Sequence, residues 1–212
     1  MIVTSVRRLR GHLVAVALDD GTEIQLDKRT WEESPYGVDS FLSYEQLEEL
    51  KEHSDRDRAR EKAVFLLSRR DYSERELRQK LCREKGRYCP DRQEAAQQAA
   101  AYMTELGYVN DAAYAARLAR VYRLERLYPA RRAVEKLCEK GIDRDTAREA
   151  VEAVETDDLQ LALEFLRKRR YTVPYTHEEA EKQLAALARY GFSAEDSRRA
   201  LKRRQEEDEY GD

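Results

Sequence analysis

Residues 136–151 are KLCEKGIDRDTAREAV, and parts of this segment recur at other places in the chain. Its first six residues resemble KLCREKG at residues 80–86, which is one residue longer. Counterparts of Leu137, Gly141, Ile142, Arg148, Ala150 and Val151 follow 50 positions later as Leu187, Gly191, Phe192, Arg198, Ala200 and Leu201. A third match, with a spacing of 99, relates Ala63, Leu67, Arg70 and Tyr72 to Ala162, Leu166, Arg169 and Tyr171. Repetition at such a period is typical of helical-repeat proteins.

Three copies of a three-helix unit of roughly 50 residues explain these matches. We place the units at residues 59–109, 110–156 and 157–205, and we expect nine helices in an elongated, curved array. The chain has only 8 Gly and 4 Pro among 212 residues, too few for the many turns of a β-sandwich. We expect the helices to share a core that contains Leu77, Leu81, Leu137 and Leu187.

Residues 1–58 have a different pattern. Val14, Val16 and Leu18 alternate before the turn dipeptide Asp20-Gly21, and alternation resumes at Ile24 and Leu26. This pattern predicts a β-hairpin, with a further strand over residues 2–6 beside it. A capping box from Ser43 to Gln46 then predicts a helix. We interpret residues 1–58 as a small accessory module of a hairpin and a helix.

Two further signals mark helix ends in the repeats. Ser73 to Glu76 forms another capping box, and the helix that it opens is expected to stop at Gly86. The acidic tail, residues 206–212, has a composition that predicts no ordered structure.

Motifs for catalysis, cofactors and membranes are missing from the sequence. It contains no GxxxxGK[ST], GxGxxG or HExxH segment, and His12, His53 and His177 lie far apart. Cys82, Cys89 and Cys138 form no CxxC pair, which argues against a zinc site. No apolar run approaches the roughly 18 residues of a membrane span, and the N-terminus lacks a signal-peptide pattern. We therefore expect a cytoplasmic protein, not an enzyme, with no cofactor or metal.

Charge is distributed unevenly along the chain. Residues 59–141 carry 19 basic and 12 acidic side chains, whereas residues 1–58 carry 8 and 13, and residues 142–212 carry 13 and 18. Within the basic middle, Arg120 and Arg123, joined by Arg117, share one helix face by their spacing. Two interpretations remain open: an ordinary solvated face, or a stripe that contacts phosphates or an acidic protein surface.

Longer stretches resemble a known family. Residues 67–81, LSRRDYSERELRQKL, are similar to the first repeat of the RecX regulators, and residues 106–115, LGYVNDAAYA, resemble their first junction. Asn110 and Tyr114 depart mildly from the Asp and Phe that are common there. Residues 131–134, Leu137 and residues 140–142 resemble the second-repeat signature. The resemblance covers residues 59–205, and residues 1–58 look like an extension found in some members.

The resemblance implies a modulator of the RecA recombinase, active in DNA repair, DNA recombination and the SOS response, and we expect the chain to be a monomer. Family members bind RecA filaments on DNA and mainly inhibit ATP hydrolysis and strand exchange; some also bind single- or double-stranded DNA. Residues expected to contact RecA or DNA are Arg70, Arg78, Lys80, Arg120, Arg123, Arg131, Arg132 and Lys140. Two other functions remain open: a helical-repeat transcriptional regulator that binds DNA, and a generic helical-repeat adaptor.

Overall fold

A computed structural model describes residues 1–83 and 92–209. The chain divides into two compact units, Met1–Asn110 and Asp111–Asp212. Each unit has its own buried clusters, and each is described separately below.

The first unit opens with a three-stranded antiparallel sheet in the order β1-β2-β3. The strands are β1 (Val3–Arg8), β2 (Leu13–Leu18) and β3 (Glu23–Asp27). Val16 lies opposite Val6 on one side and Ile24 on the other. The predicted hairpin is confirmed, and the neighbouring strand is longer than predicted. Gly21 occupies the β2–β3 turn with φ of 82°, a conformation that glycine adopts without strain.

Two helices pack with this sheet. They are α1 (Lys28–Glu33) and α2 (Tyr44–Leu67), and Ser43 and Gln46 form the capping box predicted at the start of α2. The module's core includes Val16, Leu26 and Leu42. Helix α2 runs unbroken past residue 58, where the sequence suggests a boundary, and ends inside the first proposed repeat.

The rest of the first unit consists of α3 (Glu74–Cys82) and α4 (Arg92–Glu105), which pack against α2. The Ser73 hydroxyl caps α3 by accepting a hydrogen bond from the backbone N–H of Glu76. Leu77 is fully buried against Met103 and several alanines of α4. The predicted helix end at Gly86 lies outside the described residues.

The second unit is entirely helical over its described residues. Its elements are α5 (Asp111–Arg120), a π-helical turn (Val121–Glu125), α6 (Ala130–Glu139), α7 (Arg144–Glu152), α8 (Asp158–Lys168), α9 (His177–Tyr190) and α10 (Ala194–Glu209). The fold is thus mostly helical with a small N-terminal β-module, as the sequence predicts.

Residues matched at a spacing of 50 occupy equivalent positions in this unit. Leu137 in α6 and Leu187 in α9 are both fully buried. Gly141 and Gly191 follow these helices with φ of 91° and 106°. Each glycine therefore ends a helix in a backbone conformation that side chains with a Cβ rarely adopt.

The acidic tail differs from its prediction. Helix α10 continues through Glu209, so the described part of the tail is helical rather than without order. Ion pairs of α10 stabilise it, with Lys202 to Glu206 at 3.6 Å and Arg203 to Glu207 at 3.4 Å. The Tyr175 hydroxyl also donates to Asp208 at 2.8 Å. Composition alone does not show these contacts.

Candidate functional site

Across residues 1–83 and 92–209, no group of three or more His, Cys, Asp or Glu side chains could hold a metal ion. A groove of about 200 Å³ between α2 and α4 is lined mainly by charged side chains of both signs, and we assign it no function. Within the same residues, no helix is both long and apolar enough to cross a membrane. The candidates for a functional site are the basic residues that the sequence predicts as contacts.

In the first unit, Arg70 is held in place by its neighbours. Its guanidinium lies 3.6 Å from the centre of the Tyr72 ring and donates to both carboxylate oxygens of Glu76, at 3.1 and 3.2 Å. The hydrogen bond to Glu76 raises the pKa of Arg70. These contacts stabilise the turn between α2 and α3. The Arg70 side chain nevertheless remains 47% exposed.

Arg78 and Lys80 lie on α3, where Arg78 is half-buried and Lys80 is exposed. Because they are two residues apart on a helix, they point to nearly opposite sides. The structure therefore does not bring these two predicted contact residues onto one face.

In the second unit, Arg120 and Arg123 separate. Arg120 is exposed at the end of α5, whereas only 3% of Arg123 is exposed. The Arg123 guanidinium donates to the Asp158 carboxylate, to the carbonyl of Tyr128 at 2.9 Å and to that of Thr156 at 2.8 Å. Burial in this network removes Arg123 from the surface that the sequence assigns to it.

The physical reason is the π-helical turn that follows Arg120. The backbone N–H of Arg126 bonds to the carbonyl of Val121, five residues earlier, at 3.0 Å. A π-helical turn shifts the side chains after it relative to α-helical spacing. The i, i+3 relation that places Arg120 and Arg123 on one face therefore does not hold here.

The other predicted residues of this unit differ in exposure. Arg131 exposes 87% of its side chain and pairs with Glu135 at 3.1 Å. Arg132 is half-buried, with its guanidinium 4.3 Å from the Tyr128 ring centre and 4.6 Å from that of Tyr190. Lys140 is half-buried at the C-terminal end of α6.

Arg132 belongs to a larger group that we call the Tyr190 cluster. Its basic residues are Arg126, Arg132 and Arg169, whose charges act on the Tyr190 phenol, and Lys168, which bonds to the carbonyl of Glu125 next to Arg126. Tyr190 packs against Phe165, with ring centres 4.4 Å apart, and against Tyr128 at 5.4 Å. These aromatic residues come from α8, α9 and the segment before α6, so the cluster joins parts of the second and third proposed repeats.

Hydrogen bonds and a cation–ring contact join the residues of the Tyr190 cluster. The Tyr190 hydroxyl donates to the carbonyl of Arg126, and the Lys168 ammonium donates to the carbonyl of Glu125 at 3.2 Å. The Arg132 guanidinium donates to the carbonyl of Tyr190. The Arg169 guanidinium lies 5.6 Å from the centre of the Phe165 ring. Arg126, Lys168 and Arg169 remain exposed.

The electrostatics of the Tyr190 phenol reflect this environment. Burial raises the pKa of Tyr190, and Tyr128 acts in the same direction, whereas the positive charges of Arg132, Arg169 and Arg126 lower it. The cluster thus presents several cations on a rigid aromatic base, which suits carboxylate or phosphate partners.

Sequence reasoning missed Arg126, Lys168 and Arg169 as site residues. A signal for two of them exists, because residues 167–170 are the basic run RKRR. The surplus of acidic residues over 142–212 obscured it. Arg126 lies in the basic middle of the sequence, but its place beside Tyr190 depends on tertiary packing.

The fold and these surfaces define a mostly helical repeat protein with clustered surface cations. The model of a family described as "RecX, first three-helix domain" matches residues 59–86. "Regulatory protein RecX" of Stenotrophomonas maltophilia (strain R551-3) is 34% identical over 143 residues, 67% of this chain and 84% of that protein. The protein of the same name from Vibrio cholerae (strain ATCC 39541) is 35% identical over 144 residues, 67% of this chain and 90% of that protein. The chain belongs to the RecX family of regulatory proteins.

A solved structure shares the fold. "Crystal structure of regulatory protein RecX" aligns with a TM-score of 0.65 and 17% sequence identity, covering 94% of this chain and 98% of that chain. The matched span therefore includes most of residues 1–58.

Proposed function

We propose that this chain binds RecA filaments on DNA and inhibits ATP hydrolysis and strand exchange by RecA, without catalysis of its own. Its relatives are named as RecX regulatory proteins. The observation that carries the proposal for this chain is the Tyr190 cluster, where Arg126, Lys168 and Arg169 are exposed and Arg132 is half-buried. A filament on DNA offers the carboxylates and phosphates that such a cluster recognises.

The cluster is suited to this role because two of its cations, Arg132 and Lys168, are ordered before binding. Arg132 is fixed between two tyrosine rings, and Lys168 is fixed by the Glu125 carbonyl. Side chains that are already ordered lose less conformational entropy when a partner binds. Arg120 and Arg131, also exposed in this unit, extend the proposed contact surface.

Arg70, Arg78, Lys80 and Lys140 stay in the proposal as electrostatic contacts. Arg123 does not, because its guanidinium is buried on Asp158. Reversing its charge would place two carboxylates together inside the fold, so loss of activity would report on folding rather than on a contact.

The test is charge reversal of two exposed members of the cluster in the full chain. In Arg126→Glu with Arg169→Glu, we expect half-inhibition of RecA ATP hydrolysis on single-stranded DNA to require about tenfold more protein, because two favourable charge contacts become repulsive. The matched control is Arg198→Glu with Arg199→Glu, two exposed arginines of α10 that change the net charge equally.

Circular dichroism should show the same helix content in all three proteins. Equal inhibition by the Arg126/Arg169 variant and the unaltered chain would remove the cluster from the contact surface. Equal loss of inhibition in the Arg126/Arg169 and Arg198/Arg199 variants would mean that net charge, rather than the cluster, controls binding.

A further inference from the structure

The N-terminal module carries an exposed apolar surface that the proposed contacts do not use. It consists of Ile2, Val38, Phe41 and Tyr44, which we call the Phe41 patch. Phe41 and Tyr44 are each 70% exposed, Val38 is 53% exposed and Ile2 is 43% exposed. Ile2 and Phe41 lie directly opposite each other in an isolated antiparallel bridge, and Val38 and Tyr44 are each three residues from Phe41. Large apolar side chains grouped at the surface mark interaction sites.

The patch belongs to a firmly bonded segment. Backbone hydrogen bonds join Val3 N–H to the Ser40 carbonyl at 3.0 Å, Asp39 N–H to the Val3 carbonyl at 2.9 Å, and Leu42 N–H to the Met1 carbonyl at 2.8 Å. The Gly37 N–H also bonds to the Ser40 hydroxyl at 2.9 Å. The backbone that carries the apolar side chains is therefore ordered before any partner binds.

Alternation explains why these side chains face outward. Val3 and Leu42 are fully buried in the module's core, so their neighbours Ile2 and Phe41 point to the other side. Asp39 has φ of 70°, a left-handed conformation that is costly for a residue with a Cβ. The turn next to Val38 therefore contains a strained backbone conformation at Asp39.

Acidic residues border the patch. Asp39 lies between Val38 and Phe41, Glu45 follows Tyr44, and the Asp19 carboxylate accepts a hydrogen bond from Ile2 N–H at 2.8 Å. Residues 1–58 as a whole carry 8 basic and 13 acidic side chains. Charge complementarity therefore favours a protein partner whose apolar pocket is flanked by Lys or Arg.

We propose that the Phe41 patch is a second docking surface, which binds such a basic-rimmed apolar pocket on the RecA filament. The choice of RecA as the partner rests on the proposed function. The two surfaces would bind in chemically different ways, because the Tyr190 cluster offers cations and the Phe41 patch offers apolar contact with an acidic border. Aromatic side chains at the centre of an interface commonly supply most of its affinity.

The test compares full-length proteins binding to RecA assembled on immobilised single-stranded DNA over a range of salt concentrations. In Phe41→Ser with Tyr44→Ser, we expect Kd to rise about tenfold at every salt concentration, because apolar contact is lost and no ion pair is removed. The Arg126/Arg169 variant should instead bind with a weaker dependence on salt. Tyr175→Ser is the control, since it removes another aromatic side chain that is 80% exposed and should leave Kd unchanged.

Unchanged thermal unfolding of the Phe41/Tyr44 variant would show that the module remains folded. Binding of this variant equal to that of the unaltered chain would overturn the inference and leave the proposed function standing. Failure of the unaltered chain to bind the filament would overturn the proposed function itself. Self-association of the unaltered chain that the variant lacks would assign the patch to a second copy, and would also overturn the inference.

Discussion

At the scale of single residues, the contact between Arg123 and Asp158 is the most consequential in the second unit. It joins the π-helical turn to the first turn of α8, and the Asp158 carboxylate also accepts from the backbone N–H of Ala130 at 3.1 Å. One carboxylate thereby connects three segments. Asp158 retains 25% exposure, whereas the guanidinium is almost completely enclosed. Loss of the carboxylate therefore leaves a buried positive charge.

We predict that Asp158→Ala lowers the free energy of unfolding by about 3 kcal/mol, because the Arg123 guanidinium cannot rehydrate without opening the fold. Urea unfolding followed by circular dichroism measures the change. The control is Asp145→Ala, which breaks an exposed pair with Arg148 and should cost less than about 1 kcal/mol. Equal, small losses in both variants would contradict the structural role of Asp158.

Burial is predictable from sequence for some residues and not for others, because it depends on local spacing in some cases and on distant partners in others. Leu77, Leu137 and Leu187 are predicted as core and are fully buried, because leucines at helical spacing have few alternatives to burial. Arg123 follows the same spacing, yet its burial depends on Asp158, which lies 35 positions further along the chain. A pattern of local spacing contains no information about such a partner.

At the scale of helices, carboxylates at N-termini supply the clearest dependence on pH. Asp143 accepts hydrogen bonds from Asp145 and Thr146 at the start of α7, and the contact with Thr146, followed by that with Asp145, lowers the pKa of Asp143. Glu179 accepts from the backbone N–H groups of Tyr175 and Thr176 at the start of α9, which lowers the pKa of Glu179.

Both carboxylates therefore release their protons at a lower pH in the folded chain than in the unfolded chain. Their contribution to stability is present above about pH 4.5 and is lost as the pH falls through the lowered pKa values. We predict that Asp143→Asn with Glu179→Gln makes the thermal midpoint depend less on pH between about pH 3 and pH 6. Glu155→Gln, an exposed carboxylate between α7 and α8, is the control. A double variant whose thermal midpoint depends on pH as steeply as that of the unaltered chain would contradict this role of Asp143 and Glu179.

The equivalence of α6 and α9 gives a second prediction at this scale. Leu137→Ala and Leu187→Ala should each lower the free energy of unfolding by about 2–5 kcal/mol, because both leucines are fully enclosed in equivalent cores. Leu124→Ala, in which the original side chain is 45% exposed, should cost less than about 1 kcal/mol. Chemical denaturation measures all three. A lower free energy of unfolding in only one of the Leu137 and Leu187 variants would contradict the equivalence of α6 and α9.

Helix starts could be predicted here more reliably than helix lengths. Ser43 and Ser73 are correctly identified as caps because capping depends on a few adjacent residues. The continuation of α2 through residues 51–58 could not be predicted, since this segment is polar. Contacts with the sheet module hold it: the Ser54 hydroxyl accepts from Asp27 N–H at 2.6 Å, and the Thr30 hydroxyl donates to Asp57 at 2.9 Å.

At the scale of the whole molecule, the net charge of −3 conceals clusters of opposite sign. The sequence divides into a basic middle and acidic ends, but the Tyr190 cluster draws its residues from both sides of this division. That cluster takes Arg126 and Arg132 from the basic middle and Lys168 and Arg169 from the acidic end. Surface electrostatics depend on which residues meet in the fold, and a sum along the chain cannot show this.

The proposed inhibition of the RecA filament by this chain is measured by the rate of ATP hydrolysis by RecA on single-stranded DNA as the unaltered chain is added. We predict that the rate falls with increasing protein to a low plateau, and that higher salt shifts the curve to higher protein concentrations because cationic contacts contribute. A rate that stays constant up to a large excess of the chain over RecA would show that the chain does not inhibit the filament.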